Sequence, residues 1–324
     1  MFDVVALGEL LIDFPPISSD DDGFPTLKAN PGGAPGNFLA ALSRYGARTA
    51  FIGKVGQDAF GQLLLHTLER AGIDTRGVLT DPSAFTTLAF VTLDERGERS
   101  FSFSRKPGAD TLLRPDEVDL GLIGQCRLFH FGTLSLTAEP ARSATRLAVA
   151  HAKAAGKIIS CDPNLRLPLW DSPSRAREEM LWAVHQADIV KISEDEVDFL
   201  WACSPETGAD RLLEECGVSL AMVTLGPAGC YVKNRQGACY GKCPDVRVRD
   251  TTGAGDIFGG AAVSRWLASG TAPELLRPQA LSDLAAFSCA AASLSTQYPG
   301  GIPSIPAPET VYKLLLEQSP LAGS

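Results

Sequence analysis

Short apolar runs alternate along this chain with longer segments whose apolar positions recur every three or four residues, a pattern of buried strands followed by amphipathic helices. The first run, Phe2 to Ile12, contains VVALGELLI and predicts a strand. It stops at Asp13 and at the turn-forming Pro15 and Pro16, so the strand delivers a carboxylate to its C-terminal end. Asn37 to Tyr45 has the spacing of a short helix closed by Gly46. TAFIGKVG, Asp58 and FGQLLLHTLERAG then predict a strand, an N-cap and a helix ending at Gly72. From residue 126 come strand CRLFHFGT, helix ARSATRLAVAHAKAAG, strand KIISCDPN, a helix through Met180 to Ala187 and strand DIVKIS. Strand LAMVTLG leads into a glycine-rich hairpin around Gly229 and Gly237, and Val246 to Arg249 reads as a strand end before a helix through Trp266.

Residues 86 to 104 break the alternation. TTLAFVTL and RSFSFS are rich in strand formers around Asp94-Glu95-Arg96-Gly97, which reads as a hairpin turn. An antiparallel ribbon inserted among βα units predicts a small sheet standing off the main domain and covering a site. Residues 18 to 36 are rich in Ser, Asp, Gly and Pro, and the Asp20 to Asp22 run reads as a solvated loop.

A length of 324 residues fits one main α/β domain with a small appendage. Thirty-eight acidic against 29 basic side chains give a net charge of −9, which argues against nucleic acid or anionic membrane as a partner. The eight cysteines include no C-x-x-C pair, and Cys239 and Cys243 with four scattered histidines make no complete zinc set, so the thiols read as mostly buried and reduced. The chain opens on an apolar strand with no basic leader, which makes the cytoplasm the expected location.

The strongest local signal is Asp250-Thr251-Thr252-Gly253-Ala254-Gly255-Asp256, small residues running into the first turn of an apolar helix. Gly253, Ala254 and Gly255 let backbone N–H groups approach an anion closely where a helix N-terminus adds partial positive charge. Asp256, at the edge of such a cradle, is placed to take the proton of an acceptor hydroxyl during phosphoryl transfer. Gly32-Gly33-Ala34-Pro35-Gly36-Asn37 is a tight turn whose last residue can hydrogen-bond a polyol, or else a plain turn before a helix. Gly53-Lys54 is followed by Val55, and no G-x-G-x-x-G follows the first strand, so P-loop and Rossmann nucleotide sites are disfavoured.

Together, GGAPGN and DTTGAGD resemble the two signatures of the ribokinase-like (PfkB) carbohydrate kinase family. GELLIDF, FIGKVGQDAFG, TLAFVTLDERGERSFSFSRKPGAD, DPNLRLPLW and VKISEDEVDFL resemble segments of fructokinases, especially the plant type. The resemblance implies a three-layer α/β sandwich with a central, mostly parallel sheet and a small β-sheet lid. It implies a single kinase domain over 1–324, with lid segments at about 14–30 and 85–110. The implied reaction is transfer of the terminal phosphoryl of ATP to the 6-hydroxyl of fructose, with Mg2+ and, in relatives, K+.

Carried over residue by residue, Asp13, Gly32, Gly33, Asn37 and the lid-side Arg105 match sugar contacts. Asp256 matches the catalytic base, with Gly253, Ala254 and Gly255 as the anion hole. Asn164 and Arg166 match residues near the ATP phosphates, and Thr224, Gly226 and Gly229 match a nucleotide-side strand and turn that on sequence alone is equally a hairpin. Cys289 aligns beside adenine or is a core thiol. Glu196 matches a magnesium-organising glutamate acting through water, although Ser193 stands where relatives often carry Asn. Asp250 and Thr252 match part of a monovalent-cation site. Rival readings are a kinase for 2-keto-3-deoxygluconate, ribose or a nucleoside, and a non-catalytic assembly subunit, against which the intact Asp256 and GAG triplet speak. A lid sheet with one apolar face either pairs with its copy in a homodimer or folds back over the substrate.

Overall fold

The computed structural model describes residues 1–93 and 99–317. Along the chain the strands are β1 (Phe2–Leu7), β2 (Leu11–Phe14), β3 (Pro16–Ser19), β4 (Pro25–Leu27), β5 (Asn30–Gly32), β6 (Thr49–Gly56), β7 (Ile73–Asp81), β8 (Thr87–Leu93) and β9 (Arg99–Ser104). They continue as β10 (Cys126–Gly132), β11 (Ile158–Asp162), β12 (Ile189–Ser193), β13 (Leu220–Thr224), β14 (Cys230–Asn234) and β15 (Gly237–Gly241). The helices between them are α1 (Ala34–Arg44), α2 (Ala59–Arg70), α3 (Leu120–Gly124), α4 (Ala141–Ala154), α5 (Pro173–Val184), α6 (Glu194–Trp201) and α7 (Pro205–Glu214). After the last strand come α8 (Ala254–Ser269), α9 (Pro278–Ser295) and α10 (Pro308–Glu317).

Nine strands form one sheet in the order β15-β14-β13-β12-β11-β10-β1-β6-β7. Every pairing from β7 through β13 is parallel, and β14 and β15 add an antiparallel edge. Both faces are covered, as the near-continuous apolar strands require. Phe129, Phe131, Ile159 and Ile192 pack on one face against α4 to α7, and Val4, Phe51, Leu128 and Met222 pack on the other against α1, α2, α8 and α9. From β1 the chain winds first to β6 and β7 and later to β10 and beyond. This reversal opens a crevice at the carboxyl ends of the strands, the usual place for a ligand in such sheets.

Local chemistry fixes the element ends much as the pattern predicts. Asp58 caps α2 by accepting from the Gly61 N–H at 2.8 Å, and its other oxygen accepts from the Thr86 N–H at 2.7 Å. Ser172 and Ser193 cap α5 and α6 in the same way.

Three expectations need correction. Phe2 to Ile12 is two strands, not one. The chain leaves the large sheet at Gly8, where a Cβ would come within 2.6 Å of Pro35, and Leu11–Phe14 joins a second sheet of order β5-β2-β8-β9. That sheet is mixed, because β2 runs parallel to β8 while β8 and β9 are antiparallel. Val246 to Arg249 is not a strand; the Arg249 and Asp250 N–H groups donate to the Thr296 carbonyl instead. The turn at Asp94 to Gly97 lies outside the described residues. Phe14 anchors the small sheet by stacking on Phe90 and meeting Phe60 of α2 edge-on. Among the described residues no helix is long and apolar enough to cross a membrane.

Candidate active site

A cleft of about 610 Å³ lies between the strand ends of the large sheet and the inner face of the small one. Strand alternation aims Leu11 and Asp13 of β2 into it, while Ile12 turns into the core. Val91 and Phe103 of the facing strands add apolar lining. Gly33, Ala34 and Asn37 enter from the start of α1, Asn164 and Arg166 from the turn after β11, and Asp250 to Gly253 with Asp256 from the start of α8.

Two glycine turns set this geometry. Gly33 has φ +113°, and a Cβ there would lie 2.4 Å from the Glu9 carbonyl oxygen, so only glycine lets the turn close on the strand. Gly253, with φ +75°, caps α8 and abuts Gly301 and Asn37. The Asn37 Nδ2 donates to Asp256 Oδ2 at 2.8 Å, tying the two motifs together. Asn37 is buried, and its Oδ1 has no protein partner among the described residues.

The cleft gathers four carboxylates, Glu9, Asp13, Asp250 and Asp256, among the cations Lys28, Arg166 and Arg249. Burial pushes Asp13 up to about 7; Arg166 opposes the shift, while Asp256 and Asp250 add to it. Glu9, which also lines the cleft, is pushed up to about 7 by burial, against hydrogen bonds from its own N–H and from Ala34, whose N–H lies 3.0 Å from Oε1. Half-buried Asp256 is raised by burial as well; the Asn37 amide, Lys191 and Arg166 draw it back and Glu196 raises it. A carboxylate moved toward neutrality is a better proton acceptor than an ordinary aspartate.

The first-turn N–H groups of α8 have no helical partner by construction. That of Ala254 is taken by the Thr251 carbonyl at 3.2 Å, so the groups aimed at a ligand are those of Gly255 and Asp256. Asp250 accepts from Thr252 N–H at 2.9 Å, Thr252 Oγ1 at 2.6 Å and Gly300 N–H at 2.8 Å, which fixes the turn that carries the motif.

Other expected residues lie off the lining. Gly32 backs Asp13, whose Oδ2 would sit 2.3 Å from an added Cβ. Arg105 is buried, with its guanidinium on Asp110 at 2.6 Å, the Leu134 carbonyl at 3.0 Å and Thr137 at 2.8 Å, so it supports the wall through Leu134. Glu196 accepts from Leu165 N–H at 2.7 Å and Ser193 N–H at 2.8 Å, holding the Asn164 turn against α6. Thr224, Gly226 and Gly229 sit at the next strand end, with Gly229 at φ +113° pressed on the Gly241 carbonyl. Cys289 is a core thiol, its sulfur 3.5 Å from that of Cys230. No group of three or more His, Cys, Asp and Glu converges to hold a metal ion among the described residues.

Glu9, Lys28, Asn30 and Arg249 line the cleft without having been singled out. Glu9 had a legible signal, a lone carboxylate inside the apolar run VVALGELLI.

The model of the pfkB family of carbohydrate kinases matches residues 1–308. The chain is 43% identical over 320 residues to a probable chloroplastic fructokinase-6 of Arabidopsis thaliana, covering 97% of this chain and 82% of that protein. It is 41% identical over 327 residues to fructokinase-2 of Solanum lycopersicum, covering 96% and 95%. Among solved structures, a fructokinase with bound ATP from Xylella fastidiosa superposes with a TM-score of 0.89 at 29% identity, covering 98% and 100%. A Vibrio cholerae fructokinase bound to fructose, ADP and calcium gives 0.85 at 31%, covering 97% and 99%. The chain belongs to the pfkB family of carbohydrate kinases, and its fold is ribokinase-like.

Proposed function

We propose that this pfkB-family kinase is an ATP-dependent fructokinase that phosphorylates the 6-hydroxyl of fructose, with Asp256 as general base. The Asn37–Asp256 hydrogen bond carries the reading, because it joins the glycine-turn motif and the Asp256 motif in one cleft, as a shared sugar and base site requires. The buried, unpartnered Asn37 Oδ1 and the Asp13 carboxylate are acceptors suited to sugar hydroxyls, and Val91 and Phe103 suit the apolar face of a ring. Gly32 and Gly33 leave room for that ring, and Arg105 acts through the wall it supports.

Asp256 accepts the hydroxyl proton as the new O–P bond forms and the bond to ADP breaks. In the Gly253-Ala254-Gly255 turn the Gly255 N–H, with that of Asp256, stabilises the transferring phosphoryl, with Asn164 and Arg166 beside it. Thr224, Gly226 and Gly229 lie toward the nucleoside, whereas Cys289 stays a buried core thiol. Bound Mg2+ would neutralise phosphate charge; Glu196, which has both oxygens on backbone N–H groups, suits an indirect hold through the Asn164 turn better than direct ligation. Asp250 and Thr252 are the candidates for a K+ site. The small sheet is a lid inserted in a single kinase domain, and its edge strand Arg99–Ser104 is the candidate homodimer contact. The cytoplasm is the expected compartment, with a plastid the alternative because one relative is named chloroplastic.

The deciding assay compares ADP release with fructose, ribose, 2-keto-3-deoxygluconate and adenosine, at fixed ATP and Mg2+. Preference for fructose with fructose 6-phosphate as product supports the reading. Preference for another acceptor keeps the chemistry and reassigns the sugar contacts.

A further inference from the structure

Lys191 is the single charged residue of β12, set between the buried Val190 and Ile192. Its ammonium lies 3.0 Å from Asp162 Oδ2, at the end of the neighbouring strand. On the other side it reaches the first turn of α8, where a Cβ on Gly255 would lie 3.0 Å from Nζ. Gly255 has no left-handed φ, and a side chain there would press on the Lys191 ammonium. The groups facing the ammonium are Asp162 from β11, Glu196 from α6 and Asp256 from α8, and Arg166 completes the local charges around Asp256. Asp162 is nine-tenths buried, and its Oδ1 has no partner among the described residues.

Resting on the kinase reading of the cleft, we propose that Lys191 adds to the anion cradle a full positive charge besides that of Arg166. Asp162 holds its ammonium beneath the Gly253–Gly255 turn, where it stabilises the negative charge gathering on the phosphoryl group in transit. Backbone N–H groups contribute only partial charges, and the three carboxylates around the turn oppose an incoming phosphate. An ammonium fixed behind the turn offsets them without blocking the ligand. Lys191 keeps its proton throughout: the acceptor proton goes to Asp256, and the bond that breaks is the one from phosphorus to the ADP oxygen. A purely structural role accounts for less, because a buried ion pair adds little stability over apolar side chains at the same positions.

The test removes the pair as a neutral unit, Lys191→Met with Asp162→Asn, since Lys191→Met alone strands a buried carboxylate and endangers folding. Steady-state kinetics with fructose are combined with calorimetric binding of ADP and of ADP–aluminium fluoride in the presence of fructose. The expected result is kcat lower by about a hundredfold, the range for losing an electrostatic donor to a transition state. Both KM values and ADP affinity stay near wild type, while ADP–aluminium fluoride affinity falls with kcat; Lys191→Arg in the otherwise native chain recovers part of kcat. Unchanged kcat overturns the proposal, as does parallel loss of ADP and ADP–aluminium fluoride binding, which marks a structural role. A wild-type chain inactive on fructose and every other sugar overturns the kinase reading and this proposal with it.

Discussion

Gly301→Ala probes how finely Asp256 is positioned. Gly301 has φ −75°, so no left-handed backbone reserves the position for glycine. The new methyl would lie 2.3 Å from Asn37 Oδ1, 2.6 Å from its Cγ and 2.7 Å from its Nδ2. Ordinary contact begins near 3.4 Å, so the amide must retreat by about 1 Å. The Asn37–Asp256 bond, now 2.8 Å, then stretches past the hydrogen-bonding range. Misplacement of a catalytic group by this much costs on the order of a hundredfold in rate. Overpacking the site costs about 1–3 kcal/mol of stability. The expected outcome is a folded protein with kcat reduced ten- to a hundredfold, a rise in the KM for fructose and little change in the KM for ATP. Gly124→Ala, where an added Cβ meets nothing within 4 Å, is the control and should alter none of these. Wild-type turnover in a folded Gly301→Ala protein would refute the claim that the amide positions the base.

Asp256→Asn should lower turnover at least a thousandfold with ADP affinity intact, and thermal unfolding at neutral pH should not fall, because burial already disfavours the charge it removes; retained turnover removes Asp256 from the mechanism. For Glu9, whose pKa is raised from 4.5 to about 7, the folded state binds the proton more tightly than the unfolded chain. Its contribution is therefore complete below pH 4.5, is lost as pH rises to about 7 and is flat above, a swing of about 3 kcal/mol. Glu9→Gln should flatten that part of the stability profile in denaturant titrations at several pH values, and an unchanged difference from wild type across the window would contradict it. Chelation with EDTA should abolish turnover but leave thermal unfolding of the nucleotide-free protein unchanged, since no group of three or more His, Cys, Asp and Glu converges among the described residues; a lower Tm would reveal a structural ion.

Much of this architecture is legible wherever local chemistry decides. Asp58 before an amphipathic run gives the start of α2, and glycines at 46 and 72, both at positive φ, mark helix ends. The reading fails where tertiary contacts decide. Gly8-Glu9 interrupts the apolar run, but only the packing of Pro35, from a different motif, against the Cβ position of Gly8 shows that the chain changes sheets there. Ile73–Asp81 is a strand although Asp74, Thr75 and Arg76 obscure its alternation, as befits a strand at the sheet's edge. The carboxylate and hydroxyl motifs around Asp13, Asn37 and Asp256 fall on one cleft, whereas Lys191 and Asp162 become noticeable only when two strands and a helix turn are assembled.

The division of the first apolar run between two sheets also governs how this chain can fold. β2 waits for β8 to supply its parallel neighbour, from Leu11 opposite Thr87 to Phe14 opposite Phe90, and β1 keeps one open edge until β10 brings Cys126 opposite Phe2. Such sequence-distant pairings close late and slow folding. During synthesis the Phe2–Phe14 segment therefore waits, an exposed apolar strand pair, until residues 87 to 132 have followed it out of the ribosome.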